Sequence, residues 1–130
     1  MLIEFKVSNY RSFREQQMLS MVANSGTEHR DTHTLLPASA NFARVLASAA
    51  LLGPNAAGKT NLLKALQCMQ YIVINSSATN STAPTAYAPF KFDILTQSAP
   101  TAFEATFIEG DKRYEYSFSI DAKRVYTEQY

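Results

Sequence analysis

Eight residues, Gly53-Pro54-Asn55-Ala56-Ala57-Gly58-Lys59-Thr60, constrain the fold of this 130-residue chain more than anything else in it. Two glycines with four residues between them, followed at once by Lys-Thr, require the backbone to leave one element, curl tightly and enter a helix. Gly53 and Gly58 permit backbone angles and close approaches that a side chain would block. The N–H groups of such a curl turn inward and line an anion-sized nest. The helix that follows adds its free N–H groups and the positive end of its dipole. The flanking residues agree. Arg44 to Leu52 is apolar and stops abruptly at Gly53, the composition of a buried strand. Its alanines are weak strand formers, so that strand is expected chiefly because of the loop behind it. From Gly58 onward Leu62, Leu66, Met69 and Val73 repeat at helical spacing, with Leu63 and Ile72 widening the stripe, and the helix is expected to end near Asn75.

This is the Walker A pattern. Lys59 is expected to reach the β- and γ-phosphates of a nucleotide as a point charge, and the Thr60 hydroxyl to ligate Mg2+. Gly53, Pro54, Asn55, Ala56, Ala57 and Gly58 supply the backbone of the nest, and Asn61 stands in the first helical turn. The ligand expected is ATP with magnesium. A chance match somewhere in a chain of this length has a probability of about 0.5% from average composition. An ordinary glycine-containing turn is therefore the weaker reading of the segment.

The rest of the chain sets the context. Hydrophobic residues make up 46% and charged residues 18%, proportions that form a core rather than a disordered chain. The formal net charge of +1 supplies no global basic field that would by itself predict nucleic-acid binding. The single cysteine, Cys68, cannot form an internal disulfide. The opening Met1-Leu2-Ile3-Glu4-Phe5-Lys6 lacks the features of a signal peptide. The longest apolar run, Val45 to Leu52, is interrupted by Ser48 and too short to span a bilayer. A cytoplasmic setting without a membrane partner is expected.

Leu2 to Val7 alternates, with Ile3, Phe5 and Val7 on one face, and predicts a half-buried strand. Ser8 to Ser12 reads as a turn, Gln16 to Ala23 as a second strand antiparallel to the first, and Asn24 to Asn41 as a long loop. Ser76 to Ala88, rich in Ser, Thr, Ala and Asn, reads as another loop. Further on, Phe103, Ala105 and Phe107 alternate with polar residues, as do Tyr114, Tyr116, Phe118 and Ile120. Turn signals stand at Glu109-Gly110-Asp111 and Asp121-Ala122-Lys123, and Arg124 to Tyr130 completes a β-meander with aromatic cross-strand pairs. No internal repeat is visible.

The loop continues as Gly58-Lys59-Thr60-Asn61-Leu62-Leu63-Lys64-Ala65-Leu66, and the chain opens with Ile3-Glu4-Phe5-Lys6-Val7-Ser8-Asn9-Tyr10-Arg11-Ser12-Phe13. Together these resemble the ABC-type ATPases of the SMC, RecF and overcoming-lysogenization-defect (OLD) group. They are similar above all to bacterial AAA-family ATP-binding proteins of abortive-infection and restriction loci. The resemblance covers most of the chain, with its specific parts at residues 1–23 and 51–66. It implies an α/β fold of P-loop NTPase type, in which residues 1–130 are an ABC-ATPase-like lobe I, a partial domain with an antiparallel β-subdomain. It implies that Asn55 lines the phosphate loop and that Arg11 lies near the phosphates, with its neighbour Ser12 a weaker candidate. It implies a complete protein that hydrolyses ATP, dimerises head to head through ATP-bound heads, and acts on DNA or RNA in anti-phage defence with a nuclease partner or domain.

Two departures qualify it. Ala56 stands where SMC and RecF proteins usually carry Gly, and alanine tolerates positive φ poorly. No ABC signature, apolar strand ending in Asp (Walker B) or switch His follows Thr60. Asp93 follows only Phe90-Lys91-Phe92, and Asp111 and Asp121 sit in turns, so no catalytic residue is assigned. Gln97 and Gln129 are available as Q-loop residues, but nothing singles them out. A lobe of this kind alone is expected to expose apolar surface, to be weakly stable and to associate.

A nucleotide- or partner-binding module without turnover remains the alternative function. A P-loop kinase or GTPase would need a lid Arg cluster or an Asn-Lys-x-Asp motif, neither of which is visible. Plainer readings stand beside several residues. Arg11 reads equally as a solvated turn residue. His29-x-Asp31-x-His33 reads as an ordinary loop rather than a metal site. Cys68 reads as a small buried apolar residue rather than a nucleophile. The Tyr114-Tyr116-Phe118 stripe reads as the inner face of a sheet rather than a base-stacking platform.

Overall fold

A computed structural model describes residues 1–37, 43–75 and 87–129. Its elements in chain order are β1 (Leu2–Ser8), β2 (Gln17–Ser20), α1 (Arg30–His33), β3 (Thr34–Leu35), β4 (Val45–Leu46), α2 (Lys59–Asn75), α3 (Ile94–Gln97), β5 (Thr101–Glu109), β6 (Lys112–Ile120) and β7 (Val125–Gln129). Five strands form one antiparallel sheet in the order β2-β1-β5-β6-β7. The molecule is thus a small α/β unit in which an antiparallel sheet carries one long helix.

The alternation seen in the sequence builds this sheet. Phe5 and Val7 of β1 lie opposite Ala105 and Phe103 of β5, and Phe103 lies opposite Phe118 of β6. These residues share one face and are buried. The Phe103 ring meets Tyr10 edge-on at 5.9 Å and Phe118 at 5.4 Å between centroids. The opposite face is polar. There Lys6 donates to Glu104 at 2.5 Å, and this carboxylate holds the Lys6 ammonium above the usual lysine pKa.

Helix α2 lies on the apolar face. Ala65, Cys68 and Met69 are buried in one cluster with the sheet residues, and Leu62, Leu66 and Ile72 pack against it. That stripe is rotated from the expected one: Leu63 and Val73 sit on the outer side with Tyr71 and Ile74, and all four are exposed.

Three expectations need correction. The strand predicted over Arg44 to Leu52 is reduced to Val45–Leu46, which pairs with β3. Residues 47–52 are irregular, and Leu52 is 91% exposed. A strand needs a hydrogen-bonding neighbour, and none lies beside residues 48–52 among the described residues. The second strand is shorter than Gln16 to Ala23, spanning only Gln17–Ser20. The loop predicted over Asn24 to Asn41 contains α1 and β3, while 38–41 lie outside the described residues. Of the loop predicted over Ser76 to Ala88, 76–86 also lie outside them. The helix ends at Asn75 and the meander follows the predicted course, Tyr130 lying outside the described residues.

Candidate functional site

The Gly53–Thr60 loop curls as its glycines require. Gly53 has φ +156°, Gly58 φ +90° and, between them, Ala56 φ +65°. The positive φ that sequence made a concern for Ala56 is therefore adopted, at a cost that glycine would avoid. The Ala57 amide donates to Pro54 O at 3.3 Å and closes a tight turn. The first bond of the helix runs from the Leu62 amide to Gly58 O at 3.0 Å. The amides of Lys59, Thr60 and Asn61 come before it and, as at any helix start, have no intrahelical acceptor. Residues 52–57 are exposed, so the nest opens to solvent.

Lys59 arches back over its own loop. Its Nζ donates to Gly53 O and to Pro54 O, both at 2.7 Å. An ammonium has three protons, so two bind the loop's carbonyls and one is left. The Thr60 side chain is exposed and its hydroxyl has no hydrogen bond among the described residues. First-turn amides, an ammonium poised over the curl and a free hydroxyl form a donor set that suits a multiply charged oxyanion with a bound cation. The residues present therefore fit a nucleotide phosphate chain and Mg2+. The arrangement is a shallow nest. Two concavities lie away from it, one around Lys6, Gln16, Glu104 and Ser117, the other around Tyr87, Gln97 and Asp121.

The turn after β1 supports this loop. Tyr10 and Phe13 exchange backbone bonds at 2.9 and 2.8 Å, and the Asn9 amide donates to Arg14 O. Asn9 and Arg11 both have φ +51°. Asn9 is buried, its Nδ2 donates to Thr96 O, Ala99 O and Pro100 O, and its Oδ1 accepts from the Phe90 amide. Sequence reading passed over Asn9. The available signal was an Asn in a tight turn, a residue that tolerates left-handed backbone. Tyr10 is buried and its hydroxyl donates to Lys64 O of α2.

Beyond Tyr10 the turn meets the loop directly. Asn61 Nδ2 donates to Ser12 Oγ at 2.8 Å. The Phe13 ring lies so close over Gly58 that a Cβ there would stand 2.7 Å from Phe13 Cε1. Arg11 is placed differently. Its Nε donates to the Tyr10 hydroxyl at 3.1 Å, its guanidinium lies 5.5 Å from the Tyr10 ring centroid, and its amide donates to Ala88 O. Ser12 and Phe13 are turn residues that meet the loop.

The His29 and His33 rings stand 4.9 Å apart, but the Asp31 carboxylate is ion-paired with Arg44 at 3.2 Å. No group of three metal-ligating side chains occurs among the described residues. Cys68 is buried, and burial pushes its thiol up to about 11, so it is held as the neutral thiol. Asp93 accepts from the Leu95 amide at the start of α3 and pairs with Arg14 at 2.7 Å. Phe118 is buried and Tyr116 half-buried, whereas Tyr114 is exposed and stacks on Phe107 at 5.5 Å. No helix among the described residues is long and apolar enough to cross a membrane.

Residues 48–129 match the profile of a protein family described as AAA domain, putative AbiEii toxin, Type IV TA system. The match starts ahead of the Gly53–Thr60 loop and includes α2 and the meander, while β1 and the Asn9–Arg14 turn lie before it. No curated protein and no solved structure gives a significant match.

Proposed function

We propose that this chain, which belongs to the AAA-domain family described as putative AbiEii toxin, Type IV TA system, binds Mg-ATP at the Gly53–Thr60 loop and forms part of an ATPase. Family membership supports nucleotide binding in general. The observation that carries the assignment to this loop is the Lys59 ammonium, held by Gly53 O and Pro54 O directly over an open curl of backbone.

In this reading Lys59 exchanges its carbonyl partners for β- and γ-phosphate oxygens. Thr60 holds the magnesium ion, which neutralises charge on the phosphates. The amides of Gly58 to Asn61 orient the triphosphate. Catalysis of phosphoryl transfer is mostly positioning and charge neutralisation, and these residues supply that half of it.

The finer proposal is an ABC-type head of the SMC, RecF and OLD kind. Its support is the outer face of α2, where Leu63, Tyr71, Val73 and Ile74 are exposed. A helix with such a face fits between two sheets, the antiparallel one seen here and a second one of core strands. Head-to-head dimerisation around ATP, a nuclease partner and action on DNA or RNA belong to the same proposal. The family description, which names a toxin of a toxin–antitoxin system, is in keeping with a defence role. A binding module without turnover is the second reading. Asp93 favours it, because this carboxylate is committed to a helix start and to Arg14. A phosphate-release assay on the protein separates the two.

Lys59→Ala tests the common premise. The expected result is loss of Mg-ATP binding by calorimetry, with the melting temperature of the ligand-free protein little changed because the ammonium bonds only to exposed carbonyls. Wild-type affinity in this variant overturns the assignment.

A further inference from the structure

We propose that Ser12 and Asn61 are a pair of positioning residues that fix the phosphate loop in its binding shape. The proposal rests on the reading of Gly53–Thr60 as the phosphate loop. It brings in Ser12 and Phe13, which the family match does not reach, since that match begins at residue 48.

The turn is a rigid strut. Asn9 is tied by its side chain to Phe90, Thr96, Ala99 and Pro100, and its carbonyl accepts from the Thr101 hydroxyl at 2.7 Å. Tyr10 is buried in the core and its hydroxyl reaches the backbone of α2. The turn is thus fixed to the sheet at one end and to the helix at its middle. Ser12 and Phe13 project from it as a stationary surface.

That surface meets the loop at the two places that decide its shape. Gly58 carries φ +90° and lies against the Phe13 ring, so the ring closes the floor of the curl. Asn61 sits in the first turn of α2, beside the amides that face a phosphate, and its Nδ2 bonds to Ser12 Oγ at 2.8 Å. The loop itself holds few bonds of its own. Residues 52–57 are exposed, Ala56 is strained, and the backbone bond within them is the long one from Ala57 to Pro54. A loop so weakly held takes its geometry from its neighbours, and a binding site gains affinity when its groups are already in place. The side chains of Ser12 and Asn61 touch no phosphate in this scheme; they act through the position of the helix start.

The test is a double-mutant cycle read by calorimetry with Mg-ATP, together with melting of each ligand-free protein. Ser12→Ala and Asn61→Ala are each expected to weaken binding about three- to tenfold, the range for one lost hydrogen bond. The double variant is expected to be no weaker than the worse single, because both remove the same bond. Ser12→Thr, which keeps the hydroxyl, is expected to bind like the wild type. Melting temperatures are expected to stay within about 1–2 °C, as both side chains lie near the surface. Wild-type affinity in both single variants overturns the proposal. So does a double variant whose loss is the product of the two single losses, or a loss that tracks falling melting temperature. The two readings fail differently. If the protein binds no Mg-ATP, or if Lys59→Ala binds as well as wild type, the phosphate-loop reading fails and the proposal falls with it. If Lys59→Ala alone loses binding, only the positioning role fails.

Discussion

The sheet and the Gly53–Thr60 loop are held by opposite means. Strands β5 and β6 pair over nine registered positions, Thr101↔Ile120 to Glu109↔Lys112, and the sheet's inner face buries Phe5, Val7, Phe103, Phe118 and Ile120. Each residue there is fixed by neighbours on several sides. The Gly53–Thr60 loop is exposed and carries a strained alanine. Its fixed points come from elsewhere: Phe13 under Gly58, Ser12 on Asn61, and Lys59 folded back on two carbonyls. Stability therefore resides in the sheet and the proposed chemistry in a segment that contributes little to it. Functional loops are drawn from the weakly held end of a structure, because they must yield to a ligand. The two regions are separable by mutation.

The largest effect belongs to the sheet. Phe103 is 1% exposed and its ring contacts both Tyr10 and Phe118. Phe103→Ala is expected to cost about 3–5 kcal/mol, a large part of the total for a domain this size. Urea denaturation should show the midpoint collapse, with nucleotide binding lost only in step with unfolding. A well-folded Phe103→Ala protein that had lost binding would break the comparison, because the sheet would then be shaping the site directly.

Gly58→Ala should do the reverse. The added methyl meets the Phe13 ring at 2.7 Å on a backbone with φ +90°. Either the ring or the loop must move, and only the loop is lightly held. Affinity for Mg-ATP is expected to fall at least tenfold. The expected cost in stability is smaller, about 1–2 kcal/mol for the backbone strain. If binding survives while the protein melts early, the loop is stiffer than its few bonds imply and the contrast between the regions weakens.

The same contrast explains what could be read from the sequence. The meander was legible because its signal is local: Phe103-Ala105-Phe107 and Tyr116-Phe118-Ile120 alternate, and Gly110 takes the positive φ of a turn. The curl of Gly53–Thr60 was legible because its spacing encodes backbone angles. The pairing of β1 with β5 was not, since Phe5 and Ala105 are a hundred positions apart and nothing in either strand names its partner. The stretch from Arg44 to Leu52 misled for a related reason. Its composition suits a buried strand, but composition cannot supply the neighbouring strand that residues 48–52 lack among the described residues. The contacts of Ser12 with Asn61 and of Phe13 with Gly58 were equally hidden. They follow from Asn9 and Tyr10 anchoring the turn, and a buried Asn with four hydrogen bonds looks, in sequence, like any turn residue.

The smallest effect is the most informative about the loop. Ala56 has φ +65°, a conformation that costs an L-residue with a Cβ about 1–2 kcal/mol and costs glycine almost nothing. Glycine also gives the unfolded chain more freedom, which returns about 0.4–1 kcal/mol of that gain. The net relief from Ala56→Gly is therefore about 1.6 kcal/mol at most. It should not appear in the melting temperature if the loop opens locally long before the sheet does, because strain in a segment that is already open costs the folded core nothing. It should appear in amide exchange instead, as slower exchange of the amides within Asn55 to Lys59, by up to about fifteenfold, in the ligand-free protein. A rise of several degrees in melting temperature would mean that loop and sheet unfold together, and that the loop is a structural part of the fold rather than a segment propped against it.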